Sequence, residues 1–151
     1  YVFEELLRFN FIGPTSNPLI RKKCIEKVGG FDVFMESSQD YDLWLRLALK
    51  YPVQLIDIPL LKCHFHSGKR ISSDDEIRVK GIERILSKYA EYFNADRNAW
   101  YSRGIILMPH YLNVFGRKKA LALWFSCVKK CPEKISYNFK LLATIIIGHE
   151  Q

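Results

Sequence analysis

The sequence lacks the Cys-x-x-Cys spacing that zinc and redox sites use, although it contains four cysteines. The four are Cys24, Cys63, Cys127 and Cys131. This arrangement indicates reduced thiols in the cytosol. Because Cys127 and Cys131 are four residues apart on a predicted helix, we expect both on one side of it as small apolar packing residues.

Several other patterns are missing as well. The longest apolar run, at 141–147, is far too short to span a bilayer, and no signal peptide is visible. A Gly-rich phosphate loop is absent. No helix-turn-helix, RNP or zinc pattern supports a nucleic-acid binder. We therefore expect a cytoplasmic protein that does not bind nucleic acid, with a peripheral position on the inner face of the membrane left open.

The composition is that of a globular protein. The 151 residues are 48% hydrophobic and 26% charged, so the chain should fold. It begins at Tyr1 rather than Met, which suggests a piece of a longer protein. The net charge of +7 is uneven, because residues 1–75 carry ten basic and ten acidic residues and 76–151 carry thirteen and six. This excess fits an anionic membrane surface, nucleic acid, or a solvated face without a partner.

Apolar periodicity predicts a mainly helical α/β fragment. We expect helical segments at 2–10, at 24–28 and from Asp40 to just before Pro52. Alternation predicts short strands at 53–58 and 60–65. Capping-box spacing at 73–76 predicts a helix running to about Phe93. Helical hairpins follow at about 99–115, 117–130 and 134–148, with a domain boundary near residue 75.

The informative segment is Gly-Gly-Phe-Asp at 29–32, followed by Ser-Gln-Asp-Tyr-Asp-Leu-Trp-Leu-Arg-Leu at 38–47. It resembles the acceptor-side motif of family 2 glycosyltransferases with the GT-A fold, in which a Gly-Gly-Phe-Asp turn precedes an acidic loop and a helix of the form Asp-x-Asp-Leu-Trp-x-Arg. The resemblance continues on both sides, at 17–22 and 58–62. It implies that residues 1–75 are the C-terminal, acceptor-side half of a GT-A domain and that 76–151 form a helical tail.

In that family the second acidic residue of the loop is the general base, and the matching position is Asp40. A sugar hydroxyl is a poor nucleophile, so a carboxylate must take its proton as the anomeric carbon is attacked. A single carboxylate acting opposite the leaving nucleotide implies inversion. The alternative for an isolated Asp at this place is a plain helix N-cap, and the surrounding motif is what favours the catalytic interpretation.

The resemblance also implies acceptor-binding positions at Gln39, Asp42 and Trp44. Gln39 stands where the family usually has Glu, which puts the role of that first carboxylate in doubt. Asp42 lies in the first helical turn, where stabilisation of the helix dipole and acceptor contact are both open. Trp44 continues the apolar stripe, which favours a core position over a sugar platform. Arg46 is expected to pair with one of the two carboxylates.

A second candidate group follows the predicted strands. His66 matches the place of a family histidine that reaches the metal or the diphosphate, and Arg70 could neutralise the leaving phosphate. The alternative is that these are exposed loop residues without a ligand. The family's nucleotide-binding half, with its Asp-x-Asp motif for Mn²⁺ or Mg²⁺, is not recognisable in the sequence. The isolated chain is therefore expected to hold no metal and to be inactive.

The resemblance thus implies part of a bacterial inverting enzyme that transfers a sugar from a nucleotide-sugar to a polysaccharide or lipid-linked acceptor of the cell envelope. The Gln-x-x-Arg-Trp motif of processive synthases is missing, which favours addition of a single sugar. The alternative is a helical scaffold or protein-interaction module. For that function the evidence is a tetratricopeptide-like spacing of Leu107, Tyr111, Ala120, Trp124, Cys127 and Pro132. The tail could also form a homodimer or contact the membrane. Donor, acceptor, linkage and oligomeric state do not follow from the sequence.

Overall fold

The structure is a computed structural model that describes residues 2–62, 64, 74–134, 142–143 and 145–146. A short 3₁₀ turn at Pro132–Lys134 follows the helix that ends at Lys130. The α-helices, in chain order, are α1 Val2–Arg8, α2 Lys22–Lys27, α3 Gln39–Ala48, α4 Asp75–Lys88, α5 Ala90–Ala95 and α6 Arg97–Lys130.

The predicted strands at 53–58 and 60–65 do not form in the residues that the structure describes. Residues 53–62 carry no hydrogen-bonded ladder and are exposed along their whole length. Leu55 is 83% exposed and Leu60 is 70% exposed. A strand is stable only when a neighbouring strand satisfies its backbone groups, and no such neighbour lies beside this segment in the described residues. The alternating pattern was therefore insufficient to predict a strand here.

The main core lies between α1, α3 and the helices that follow residue 75. On α1, Phe3, Leu6 and Leu7 are buried, with acidic residues in the first turn and Arg8 in the last, as the helix dipole prefers. Helix α3 is buried on most sides, as expected for a helix enclosed by its neighbours. The core residues are Phe3, Leu6, Leu7, Met35, Tyr41, Leu43, Trp44, Leu45, Leu47, Ile85, Tyr89, Phe93 and Ala99.

The buried side chain of Arg103, on α6, links that helix to the end of α1. It is only 5% exposed, and its guanidinium group donates hydrogen bonds of 2.8 Å to the carbonyls of Leu6 and Leu7, at the end of α1. Tyr41 donates its hydroxyl to the Leu6 carbonyl at 2.7 Å, and the guanidinium group lies 4.3 Å from the centre of its ring. Burial raises the pKa of Tyr41 to about 12. The terminal carbonyls of α1 are thus satisfied by a side chain from the distant helix α6.

Helix α6 is a hairpin of two arms, 97–115 and 117–130, because Gly116 has φ 73° and ψ −179°, which is not helical. The arms approach closely at Gly104, where an added Cβ would lie 2.3 Å from the Cys127 sulfur. This confirms the helix pair predicted at 99–115 and 117–130. The predicted helix at 134–148 falls mostly outside the described residues. The hairpin has its own core, which contains Tyr101, Met108, Ala120, Trp124, Cys127, Cys131 and Ile145.

Helices from both sides of residue 75 contribute to the main core, and α6 contacts α1, α4 and α5. The predicted domain boundary at residue 75 stays a prediction. Helix α4 begins within the predicted segment, but its cap is Asp74, whose carboxylate accepts a hydrogen bond of 3.1 Å from the Ile77 N–H. Ser73, the first residue of the predicted capping box, lies outside the described residues. The part of the chain that the structure describes contains no helix with the length and apolarity needed to cross a membrane.

Candidate functional site

The Gly-Gly-Phe-Asp turn ends α2 and leads the chain toward α3. Gly29 and Gly30 both have positive φ, at 85° and 68°, a conformation that L side chains rarely adopt. Their N–H groups donate to the carbonyls of Glu26 and Ile25, at 3.1 and 3.0 Å, so the pair closes the end of the helix. The sequence pattern therefore corresponds to a real reversal of the backbone.

Asp32, the last residue of that turn, orders the next one. Its carboxylate accepts a hydrogen bond of 3.1 Å from the Phe34 N–H, and its carbonyl accepts one of 3.2 Å from the Met35 N–H. The same carboxylate lies 3.0 Å from the ammonium group of Lys88. The hydrogen bond from Lys88, with that from the Phe34 backbone, lowers the pKa of Asp32. The turn is thus a fixed platform for the acidic loop, which we define as residues 36–40.

The acidic loop enters α3 through a residue of unusual conformation. Ser38 has φ 60° and ψ 23°, in the left-handed region, and it does not cap the helix with its side chain. Gln39 folds back over the loop, donating a hydrogen bond of 3.0 Å to the Met35 carbonyl. Met35 itself is buried in the core. Non-glycine residues are uncommon in this region of backbone space and occur where the surroundings impose the conformation.

Asp40 stands in the first turn of α3 and is partly exposed. Its carboxylate accepts a hydrogen bond of 2.7 Å from the N–H of Tyr41. No cationic side chain pairs with it within the described residues. A depression of about 430 Å³ is lined by residues of α1, α3 and α5 and does not include Asp40. The carboxylate thus sits at a helix N-terminus and keeps lone pairs that no other described residue occupies.

Asp42 has a different environment, although it is only two residues farther on. It is fully buried, and its carboxylate lies 2.8 Å from the ammonium group of Lys88 and 2.8 Å from Nε of Arg46. The Tyr89 hydroxyl donates to it at 3.0 Å. Burial, and then the charge of Asp42, raises the pKa of Tyr89. Asp42 therefore acts as a buried centre of charge that joins α3 to the end of α4.

Arg46 completes this network, as predicted for its pairing with a carboxylate. Besides Asp42, it donates a hydrogen bond of 2.6 Å to the carbonyl of Val28, just before the Gly-Gly turn. Trp44 is 2% exposed and donates its indole N–H to the Gly13 carbonyl at 2.8 Å, so it is a core residue. The burial of Asp42 and Trp44 favours the structural alternatives that the sequence left open for them. Gln39 and Asp40 are the partly exposed members of the predicted set.

The second predicted group, His66 and Arg70, lies outside the described residues. In the described part of the chain, no three His, Cys, Asp or Glu side chains cluster in a way that could hold a metal ion.

The contribution of α4 was missed by the sequence reasoning. Lys88 and Tyr89 bond to Asp42, and Ser37 of the acidic loop donates a hydrogen bond of 2.8 Å to the Ile77 carbonyl. A signal was present, because Gly81 interrupts an otherwise regular helix and glycine in such a place often marks a close approach. Gly81 and Lys88 are seven residues apart and so lie on the same face of α4.

Comparison with curated proteins identifies two glycosyltransferase-named relatives. A protein of Haemophilus influenzae named "Uncharacterized glycosyltransferase" is 31% identical over 134 aligned residues, which cover 84% of this chain and 44% of that protein. A protein of Rickettsia felis with the same name is 34% identical over 61 residues, covering 38% of this chain and 10% of that protein. The chain is therefore related in sequence to proteins named as glycosyltransferases.

The chain spans less than half the length of these two relatives. No family model matches it. No solved structure matches it significantly.

Proposed function

We propose that this chain is the acceptor-side part of an inverting, non-processive family 2 glycosyltransferase. The relation to glycosyltransferase-named proteins supports the reaction class. The observation that carries the proposal is the contrast between two carboxylates of one helix turn. Asp42 is buried and bonded to Lys88 and Arg46, whereas Asp40 is partly exposed and has no cationic partner among the described residues. Of the two, Asp40 alone is accessible to an incoming hydroxyl group.

In the proposed reaction Asp40 accepts the proton of an acceptor hydroxyl as its oxygen attacks the anomeric carbon of a nucleotide-sugar. The new bond forms between that oxygen and the anomeric carbon. The bond from the anomeric carbon to the diphosphate breaks, and the nucleoside diphosphate leaves with the electron pair on the opposite face. Attack and departure on opposite faces invert the anomeric configuration. The chain contributes the position of the base, in the first turn of α3.

The donor site and the divalent metal that the family resemblance implies are proposed to belong to a part of the protein beyond this chain. The length of the relatives supports this division, because the chain covers 44% of the one from Haemophilus influenzae. The isolated chain is accordingly proposed to be inactive, and the acceptor to be a polysaccharide or a lipid-linked saccharide. The reaction would take place in the cytoplasm.

The α6 hairpin is proposed to contact the inner face of the membrane. Residues 97–134 carry eight Lys and Arg residues and one Glu, so the positive charge of the chain concentrates here. Lys118, Ala122, Phe125 and Lys129 form an exposed stripe on the outer side of its second arm, opposite the buried Ala120 and Trp124. Phe125 is 62% exposed between the two lysines. An apolar ring flanked by ammonium groups suits an anionic lipid surface.

The test of the catalytic proposal is an Asp40→Asn substitution in the full-length protein. We expect nucleotide-sugar binding, measured by calorimetry, to be retained. Transfer, measured as release of nucleoside diphosphate, should fall by orders of magnitude because the amide cannot take the proton. Transfer close to that of the unmodified protein would remove Asp40 from the role of base.

A further inference from the structure

Helix α4 packs closely against the acidic loop at Gly81. At Gly81 an added Cβ would lie 2.0 Å from the Ser37 hydroxyl oxygen and 2.8 Å from the Ser37 carbonyl oxygen, so even a methyl group would displace the loop. Ser37 is buried, and its hydroxyl donates to the Ile77 carbonyl on the preceding turn of the same helix. A glycine inside a helix destabilises it relative to alanine, so close packing on the loop is the physical reason for a glycine at this position.

The same helix reaches the chain on both sides of the loop. Lys88 places one ammonium group 3.0 Å from the carboxylate of Asp32 and 2.8 Å from that of Asp42. Asp32 precedes the acidic loop and Asp42 follows it. Ser37, packed on Gly81, lies between them. Helix α4 thus holds the chain before the loop, at Ser37 within the loop, and after the loop, and Asp40 lies inside the segment that these contacts fix.

Ser38, whose backbone is in the left-handed region, connects these contacts to the position of Asp40. That conformation turns the chain immediately before α3 and determines the direction in which the first turn of the helix, with Asp40, begins. Ser37, its direct neighbour, is the residue that Gly81 and the Ile77 carbonyl hold. A shift of the loop away from α4 would therefore change the position of Asp40 without removing any group that touches a substrate.

We propose that Gly81 and Lys88 are positioning residues for Asp40, so that the helix after residue 75 is part of the catalytic apparatus rather than an appended tail. This inference rests on the proposed function of Asp40. It assigns to α4 the task of holding the base within reach of the acceptor hydroxyl, for which errors of about 1 Å can cost roughly 100-fold in rate.

The experiment uses the full-length protein with Gly81→Ala, Lys88→Met and Ser37→Ala. Transfer is followed as UDP release from a panel of UDP-sugars, with a bacterial membrane lipid extract as acceptor. We expect kcat to fall about 10- to 100-fold in each variant, with the KM for the donor unchanged, because the donor is bound elsewhere. Lys88→Arg should restore most of kcat, since it keeps the charge between the two carboxylates. Ser37→Ala removes the hydrogen bond without crowding, so it tests the contact even if Gly81→Ala does not fold.

The matched control is Gly104→Ala, which crowds Cys127 by the same chemical change in the other helix pair, away from the loop. It should lower the melting temperature and leave kcat near the wild-type value below that temperature. Amide hydrogen exchange at residues 37–40 of the present chain should accelerate with Gly81→Ala and Lys88→Met, and not with Gly104→Ala.

Two outcomes separate the inference from the proposed function. If Asp40→Asn remains active, the proposed function fails. If Asp40→Asn is inactive while Gly81→Ala, Ser37→Ala and Lys88→Met keep wild-type kcat and wild-type exchange, the positioning role alone is overturned. An equal loss of kcat in Gly104→Ala would likewise overturn it, because the effect would then be one of general stability.

Discussion

The carboxylate of Asp42 and the ammonium group of Lys88 lie 2.8 Å apart and join α3 to α4 at the edge of the core. Asp42 is fully buried, whereas the Lys88 side chain is 34% exposed. Removing one partner of a buried ion pair leaves the other charge without compensation, which costs more than the pair contributes. The contribution of this ion pair to stability is therefore best measured by replacing the buried partner, Asp42.

We predict that Asp42→Asn lowers the free energy of unfolding of this chain by about 3 kcal/mol. The amide keeps the shape of the side chain but leaves Arg46 without its carboxylate partner and Lys88 with Asp32 alone. Urea-induced unfolding followed by circular dichroism measures the change. The control is Glu36→Gln, because Glu36 is exposed and lies 3.8 Å from Lys80, so that substitution should cost less than about 1 kcal/mol. Equal effects of the two substitutions would contradict the assignment of Asp42 as the buried centre.

Acid should weaken the fold through carboxylates whose pKa is lowered. A hydrogen bond from Asn113, followed by one from His110, lowers the pKa of Asp75 below its ordinary 3.8. Such a group binds its proton more weakly in the folded state, so its stabilisation is present above the unfolded pKa and is lost as pH falls through the folded pKa. The unfolding free energy should therefore decline below about pH 5.

Replacement of Asp75 measures how much this residue contributes to the loss of unfolding free energy at low pH. Asp75→Asn should lower stability at neutral pH and make the acid-induced loss shallower, and Asn113→Ala should do the same more weakly. Urea unfolding at a series of pH values measures both effects. An unchanged slope in Asp75→Asn would show that this carboxylate does not carry the predicted linkage.

The hairpin should bind anionic vesicles through the stripe on its second arm. We predict that Lys118→Glu/Lys129→Glu weakens co-sedimentation with phosphatidylglycerol vesicles by at least about 10-fold, since each basic residue near such a surface contributes about 1 kcal/mol. Added salt should weaken binding further. The matched control is Lys22→Glu/Lys23→Glu on α2, which changes the net charge equally. If the control weakens binding as much, net charge and not the hairpin surface is responsible.

Local patterns predicted most of the helices in the described chain. Three local features act within a few residues of their own position, so neighbouring residues in the sequence are enough to predict their effects. They are the carboxylates of α3, the capping Asp74 and the break at Gly116. The strands predicted at 53–58 and 60–65 do not form in the described residues, so alternation alone misled the prediction. Pairing of a strand depends on a partner that its own sequence does not specify.

The contacts that the site makes with residues distant in sequence could not be predicted from the sequence either. Packing of helices that are far apart in sequence brings Arg103 of α6 to the end of α1. It also brings Lys88 of α4 between Asp32 and Asp42. A basic residue in an amphipathic helix is ordinarily solvated, so its letter gives no hint of burial. Gly81 was the visible exception, since an interior glycine has a cost that only a close neighbour explains.

We propose that two carboxylates in one turn of α3 serve different ends, Asp40 for chemistry and Asp42 for structure. The most direct measurement compares Asp40→Asn and Asp42→Asn in both stability and sugar transfer. We predict that the free energy of unfolding of Asp40→Asn lies within about 0.5 kcal/mol of that of the unmodified chain, and that the same substitution in the full-length protein reduces transfer at least about 100-fold. An Asp40→Asn protein that is as stable as the unmodified protein and transfers sugar at the same rate would rule out Asp40 as the catalytic base.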